Sequence, residues 1–137
     1  MNDLKQKIIS NLENTFCRLQ KSDLHGVGVF AIRDIKVDTE IFQGIMSQRR
    51  CIFDFKDLNF LDDTVKEMIK DFCIVDEQGK VQISEGGLTG MDMSYYLNES
   101  DNPNLITIDG GTTFITNRDI KKGEELTCCY AKYYLDN

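Results

Sequence analysis

Three segments of the sequence carry residue types whose spacing suits chemistry. Residues 25–31 (HGVGVFA) contain two glycines one residue apart, which let the backbone approach a ligand closely or adopt a positive φ in a tight turn. Residues 95–104 (YYLNESDNPN) join two tyrosines, whose rings and hydroxyls suit a pocket wall, to a dense run of short polar side chains. Residues 115–130 end in Tyr130, which could bring a hydroxyl to a reacting centre. Taken alone, each segment is better explained by a structural role: a turn, a surface loop, and a core or rim tyrosine.

Several kinds of site are disfavoured by what the sequence lacks. No third glycine opens a helix after residues 26–28, as in a dinucleotide-binding turn, and the Gly-Lys-Ser/Thr of a phosphate loop is missing. A zinc site needs ligands at paired spacings, but the chain has a single histidine, His25, and no Cys-x-x-Cys, so we expect no metal. Its five cysteines are expected to be reduced and mostly buried: Cys17, Cys51, Cys73, Cys128 and Cys129. They indicate a reducing intracellular compartment such as the cytoplasm or the nucleus.

Length and composition fit one soluble, non-exported domain with a hydrophobic core. The 137 residues are 41% hydrophobic and 28% charged, which excludes a disordered or collagen-like chain. No run approaches the roughly 20 apolar residues of a membrane helix, and no apolar segment resembles a secretion signal. The net charge of −7 disfavours binding to nucleic acid or an anionic membrane and fits a basic partner such as a lysine-rich peptide, although acidity also serves solubility alone.

Apolar residues recur at helical spacing in two regions. Four aliphatic residues near the N-terminus share one stripe: Leu4, Ile8, Ile9 and Leu12. This stripe predicts an amphipathic helix within residues 1–15, capped by Asp3 and packed on the outside of the main body. A second helix is predicted at residues 62–72, where an apolar face lies beneath charged residues, and a short one at residues 91–97.

Short alternating segments predict most of the remaining structure to be strands. The predicted strands lie at residues 16–20, 29–32, 40–42, 105–108, 112–116 and 125–129. Residues 73–75 and 80–83 flank a DEQG turn and predict a hairpin. Many short strands with few helices indicate an α+β domain that is mostly β.

Together and in this order, the three segments resemble the SET domain, the fold of many protein lysine methyltransferases. Residues 25–31 resemble its Gly-x-Gly-Val-Phe-Ala segment, and residues 98–104 (NESDNPN) are similar to its Asn-His-Ser-x-x-Pro-Asn signature. Residues 119–130 (DIKKGEELTCCY) resemble its closing Ile-x-x-Gly-Glu-Glu-Leu-Thr-x-x-Tyr motif. The resemblance covers residues 16 to 134, about the whole chain after the N-terminal helix.

The resemblance implies both a fold and a cofactor. The fold would be a single SET-like domain at residues 16–137, with short strands in small sheets, a C-terminal pseudoknot and a variable insert at about residues 49–90. The implied methyl donor is S-adenosylmethionine. Its binding residues would be the backbone of one turn, a pair in the second motif and a nearby ring: Gly26, Val27, Gly28, Asn98, Glu99 and Tyr96. Tyr130 matches the catalytic tyrosine of the family.

The sequence departs from the family pattern at several of these positions. Glu99 replaces the histidine of the signature, and Phe42 occupies a position where many members have a tyrosine. Cys128 replaces an aromatic residue linked to the number of methyl groups added, and its smaller side chain would enlarge the lysine channel, which favours more than one transfer. Tyr133 and Tyr134 could complete the channel wall or form a simple hydrophobic anchor, and a second subunit of a homodimer could supply that wall instead.

The leading interpretation is a methyltransferase that uses S-adenosylmethionine to modify a lysine side chain of a protein or peptide, which could be histone-like. An alternative is a SET-like domain that has lost catalysis and serves as a binding or assembly module, as the departures at Glu99, Phe42 and Cys128 would allow. A third interpretation, methylation of something other than protein lysine, also stays open.

Overall fold

The computed structural model describes residues 2–42, 49–108, 111 and 113–130. Its first element is helix α1 (Asp3–Glu13), which begins after Asn2, whose side chain accepts a hydrogen bond from the backbone N–H of Lys5 at 2.8 Å. The predicted cap at Asp3 was therefore wrong by one residue, since Asp3 is already helical. The stripe of α1 stays exposed, with Leu4 and Leu12 each 67% exposed, so the expected packing against the main body is not seen among the described residues.

The main sheet brings the three motifs together. Strands β1 (Cys17–Lys21) and β2 (Val27–Ala31) form an antiparallel hairpin in which Cys17 faces Ala31. Strand β2 also pairs antiparallel with β8 (Glu125–Cys128), and β8 pairs in parallel with β5 (Asn98–Glu99). The order across the sheet is β1-β2-β8-β5, so one strand from each motif lies side by side.

A second small sheet closes the other side of the core. Strands β6 (Leu105–Ile108) and β7 (Thr113–Thr116) pair antiparallel, and single bridges join Ile35 to Ile120 and Glu40 to Ile115. The strand predicted at residues 40–42 is reduced to the bridge at Glu40. Buried apolar residues from both sheets form one cluster that includes Val29, Leu97, Leu105, Phe114, Ile120 and Leu126.

The loop after β5 is fastened to β8. The backbone N–H of Ser100 donates to the carbonyl of Cys128 at 3.0 Å. Asn104, which is 2% exposed, donates from its side-chain amide to the Glu125 carbonyl at 2.9 Å and accepts from the Thr127 N–H at 2.8 Å. This is the place where the resemblance implies a pseudoknot; residues 131–137, which would complete it, lie outside the described residues.

The insert has its own sheet and its own hydrophobic cluster. Strands β3 (Arg50–Asp54) and β4 (Lys80–Ser84) pair antiparallel. Between them in the chain lie the 3-10 helix Phe55–Leu58 and helix α2 (Asp63–Phe72). The side chain of Asp62 caps α2 by accepting from the N–H of Thr64 at 2.8 Å. The cluster beneath α2 is formed by Leu58, Ile69, Cys73 and Val81.

Comparison with the expected elements confirms the fold class and adds one strand pairing that was not expected. The protein is α+β and mostly β, with short strands in small sheets. The predicted hairpin of residues 73–75 with 80–83 is reduced to a single antiparallel bridge between Val75 and Val81 around the turn, and the full pairing of β4 is with β3. The short helix expected at residues 91–97 is the 3-10 helix Met93–Tyr96. Within the described ranges, every helix is too short or too polar to cross a membrane.

Candidate active site

The glycine turn between β1 and β2 is built on Ser22. The hydroxyl oxygen of Ser22 accepts from the backbone N–H groups of Leu24 and His25 at 3.0 and 3.3 Å, and the Ser22 N–H donates to the Gly26 carbonyl at 2.8 Å. This is the way that serine side chains stabilise tight turns. Gly26 has a φ of +48°, a conformation that a residue with a β-carbon adopts only with strain.

The side chain of Asn98 holds this turn in place. Its side chain is 7% exposed, and its amide nitrogen lies 2.9 Å from the His25 carbonyl and 2.8 Å from Oε2 of Glu125. The same nitrogen lies 3.1 Å from the Ser22 hydroxyl and 3.5 Å from the Val27 carbonyl. Because a buried polar group is costly unless it is paired, this crowded set of acceptors holds Asn98 and the turn in one arrangement.

Glu125 completes this polar cluster, which we call the Ser22–Asn98–Glu125 cluster. Its Oε1 accepts from the Ser22 hydroxyl at 2.7 Å, while its Oε2 accepts from Asn98. A β-carbon on Gly28 would overlap with this carboxylate, with Cδ of Glu125 at 2.9 Å. Sequence reasoning assigned no role to Ser22 or Glu125, although a serine just before a glycine turn is itself a turn signal.

Tyr130 is held at both ends by the segment around Asn98. Its hydroxyl donates to the carbonyl of Leu97 at 2.5 Å, and its backbone N–H donates to Oε2 of Glu99 at 3.0 Å. Burial, followed by the neighbouring groups Cys128 and Glu99, raises the pKa of Tyr130 to about 12. The phenol is therefore neutral at physiological pH and keeps its proton.

A cavity of about 350 Å³ opens beside Tyr130. It is lined by apolar residues of the core and by polar and charged residues of the insert, including Leu97, Phe114, Phe72, Cys73, Arg50, Lys70, Asp71 and Tyr95. Burial raises the pKa of Cys73 to about 11, and burial also raises the pKa of Tyr95. The guanidinium of Arg50 lies 4.0 Å from Oδ2 of Asp92. A space of this size with mixed walls suits an extended side chain that ends in a polar group.

The structure places the remaining expected site residues in three different surroundings. Val27 is 45% exposed on the turn. Tyr96 packs against Phe72, with ring centroids 5.9 Å apart, where the core meets the insert. Phe42 and Cys128 are buried in the core, at 9% and 1% exposure. Neither is among the described residues that line the cavity. Phe42 instead supports the cavity from behind, edge-on to Phe114 with centroids 5.6 Å apart.

Three further expectations concern the C-terminal tyrosines, a metal site and the cysteines. Tyr133 and Tyr134 lie outside the described residues, so their place in a channel stays a prediction. Among the residues that the structure describes, no group of three or more His, Cys, Asp or Glu side chains is arranged to hold a metal ion. The five cysteines are all free thiols.

Comparison with protein families identifies the fold. The family model described as SET domain matches residues 26–131, most of the chain, from the glycine turn to just beyond Tyr130. This chain belongs to the SET domain family. A search of curated proteins finds no match.

Solved structures with a similar fold include proteins of two organisms. A Plasmodium falciparum protein, provisionally named a histone methyltransferase, is 17% identical with a TM-score of 0.51, over 85% of this chain and 93% of that one. A humanized mutant of the Chaetomium thermophilum Polycomb Repressive Complex 2 bound to the inhibitor GSK343 is 21% identical with a TM-score of 0.57. That match covers 89% of this chain and 16% of the Polycomb chain. The same complex bound to the inhibitor GSK126 is 20% identical with a TM-score of 0.56, with the same coverage. At these identities the likeness establishes the fold of this SET domain.

Proposed function

We propose that this SET domain is a methyltransferase that uses S-adenosylmethionine to methylate a lysine side chain of a protein or peptide. The observation that carries the proposal is the meeting of the three motifs at residues 97–99. Asn98 holds the glycine turn, and its two neighbours, Leu97 and Glu99, hold the two ends of Tyr130. Residues far apart in the chain are thereby fixed around one short segment.

The residues of the turn fit the donor that the family uses. A β-carbon at Gly26 would meet nothing within 4 Å, so open space lies beside the turn, and Val27 is exposed there. The Asn98 amide donates to the His25 carbonyl and to the Glu125 carboxylate. This side chain would therefore help to bind the donor indirectly, by positioning the backbone of residues 26–28. When bound, S-adenosylmethionine supplies a methyl group activated by a positively charged sulfur.

Tyr130 and its partner Leu97 suit the alignment of such a group. Methyl transfer depends mainly on holding the acceptor and the methyl carbon in line, since the sulfur already activates the carbon. The Tyr130 hydroxyl directs its proton to the Leu97 carbonyl, which holds both oxygens in place, and oxygens of these two kinds make weak C–H···O contacts. The raised pKa of Tyr130 keeps this group neutral.

The cavity beside Tyr130 suits a lysine side chain. Its apolar walls, such as Phe114 and Leu97, would cover the aliphatic stem and disfavour the charged ammonium by desolvation, which lowers the lysine pKa and yields the neutral amine that can accept a methyl group. The protein's net charge of −7 favours a basic protein or peptide, such as a histone-like tail, as the substrate.

Three further expectations stay predictions: the transfer of more than one methyl group, a reducing compartment and a homodimer.

The second candidate is a binding module without catalysis. It is favoured by Phe42, which is buried against Phe114 and has no hydroxyl to offer. Calorimetry with S-adenosylmethionine separates the two candidates in part, because an enzyme must bind its donor and an inactive module need not.

The decisive experiment combines donor binding with methyl transfer. The protein is incubated with labelled S-adenosylmethionine and a mixture of lysine-rich proteins, in parallel with Tyr130→Phe. We expect transfer by the wild-type protein, a loss on the order of 100-fold in Tyr130→Phe, and donor affinity within a few fold in both. Absence of both transfer and donor binding would favour the binding module, and unchanged transfer by Tyr130→Phe would reject the role of Tyr130.

A further inference from the structure

Glu99 extends the strand pairing beside Tyr130 with its side chain. In the parallel pair of β5 and β8, Asn98 lies opposite Thr127 and Glu99 lies opposite Cys128. The backbone N–H of Ser100 still donates to the Cys128 carbonyl at 3.0 Å. Beyond that point the pairing ends, and the next contact across the two segments is made by the Glu99 carboxylate, which accepts from the N–H of Tyr130 at 3.0 Å.

This contact acts on the backbone of Tyr130, which carries the ring and its hydroxyl. Tyr130 lies two residues beyond the end of β8, and its hydroxyl reaches the Leu97 carbonyl. A rotation of the backbone at Tyr130 would move the hydroxyl far more than the α-carbon, because the hydroxyl lies at the far end of a rigid ring. An anchor on the backbone N–H therefore restricts where the hydroxyl can lie.

We infer that Glu99 is a positioning residue: its carboxylate holds the backbone of Tyr130 so that the hydroxyl stays on the Leu97 carbonyl. This inference rests on the proposed function only in giving Tyr130 a catalytic task. Glu99 stands where the family signature has a histidine, so the departure supplies a contact to the catalytic tyrosine. An exposed carboxylate is well suited to this bond, because a charged acceptor makes a stronger hydrogen bond than a neutral one.

The charge and the hydrogen bond of Glu99 can be separated by substitution. Glu99→Gln keeps an oxygen that can accept the Tyr130 N–H but removes the negative charge, whereas Glu99→Ala removes both. Asp101→Ala is the matched control, because Asp101 is an exposed carboxylate two residues further along the same loop. The other ionisable groups that face Tyr130 or line its cavity are unchanged in all three variants: Cys128, Arg50, Lys70, Asp71, Cys73 and Tyr95.

The first measurement is the ionised fraction of Tyr130 at about pH 10.5, from the ¹³C shift of the ring carbon that bears the hydroxyl. Tyr130→Phe assigns the signal. We expect almost no ionisation in the wild type and in Asp101→Ala, a small fraction in Glu99→Gln from the lost charge, and a large fraction in Glu99→Ala, whose hydroxyl leaves the Leu97 carbonyl for water. Equal ionisation in Glu99→Gln and Glu99→Ala would overturn the inference, because only the charge would then matter.

The second measurement is methyl transfer. We expect Glu99→Ala to lower kcat at least 10-fold with a smaller change in the KM for the donor, and Glu99→Gln and Asp101→Ala to stay within about 3-fold of the wild type. A kcat in Glu99→Ala equal to that of the wild type would also overturn the inference. If the wild-type protein transfers no methyl group, the proposed function fails, while the ionisation of Tyr130 still decides the role of Glu99. If Glu99→Ala does not fold, Glu99→Gln decides: a loss of kcat as large as that of Tyr130→Phe would contradict the inference.

Discussion

Gly28 lies so close to the carboxylate of Glu125 that a β-carbon on Gly28 would come within 2.9 Å of Glu125 Cδ. The carboxylate is the end of a flexible side chain, so it could move aside. However, it accepts hydrogen bonds from Ser22 and Asn98, and moving it would break both. Gly28 is therefore required by a neighbouring side chain, while Gly26 is required by its own backbone conformation.

We expect Gly28→Ala to lower the free energy of unfolding by about 1–3 kcal/mol and to weaken donor binding, because the Ser22–Asn98–Glu125 cluster that supports the turn is disturbed. Urea unfolding and calorimetry measure the two effects. The matched control is the double variant Gly28→Ala with Glu125→Ala, in which the β-carbon has space. Its destabilisation should be less than the sum of the two single changes, and strict additivity would contradict the proposed clash.

Asn98→Asp would place a second carboxylate against Glu125. Two carboxylates at hydrogen-bond distance cannot both be ionised without a large cost, so the pKa of one of them rises in the folded state above its unfolded value. Stability contributed by such a group is present at low pH and lost as pH rises. We therefore expect Asn98→Asp to be closer to the wild type in stability at pH 5 than at pH 7, measured by urea unfolding. Asn102→Asp, at an exposed position in the same loop, should show no such difference between the two pH values.

Cys17 makes the stability sensitive to alkaline pH. Burial raises its pKa from 9.0 to about 12, so between these values the unfolded chain loses a proton that the folded protein keeps. The free energy of unfolding should fall as pH rises through this range, by at most about 1.4 kcal/mol per pH unit for this one thiol. Cys17→Ala should reduce the dependence but not abolish it, because burial also raises the pKa of Cys73 to about 11. Urea unfolding at pH 8 and pH 10 measures the change, and Cys51→Ala, at an exposed thiol, is the control. Equal slopes in all three proteins would show that the Cys17 thiol is not held neutral.

Phe42 offers a test of whether a buried ring serves the core or a channel. Because it is 9% exposed and packs edge-on against Phe114, we expect Phe42→Ala to cost about 3–5 kcal/mol in unfolding free energy. Phe60→Ala, at a ring that is 80% exposed, should change stability by less than about 0.5 kcal/mol. A stable Phe42→Ala variant that only alters methyl transfer would instead favour the channel role that the sequence suggested.

The residues of the site were predictable where their identity follows from a local need. Gly26 must adopt a positive φ, and Tyr130 is the last residue of a family motif, so both are evident from short stretches of sequence. The cluster partner Glu125 was not predicted, because its contact with Ser22 joins positions 103 residues apart and neither residue is unusual in its own segment.

The fold was predictable to a similar extent. Alternating residues revealed β4 as a strand, but alternation does not specify every partner. The bridge to the nearby residue Val75 was predicted, whereas the pairing with β3, which lies 30 residues earlier in the chain, was not. The cap of α1 shows the same limit on a smaller scale, since Asn2 and Asp3 are both good capping residues and only the backbone distinguishes them.

The three-residue segment 97–99 leaves no room for insertions or deletions. Asn98 serves the glycine turn while the residue on each side of it serves Tyr130, so the two tasks are interleaved along one stretch of backbone. Removing or adding a single amino acid here would shift both sets of partners out of step at once. Natural variation in chain length should therefore accumulate elsewhere, for example in the insert, whose sheet and apolar cluster are its own.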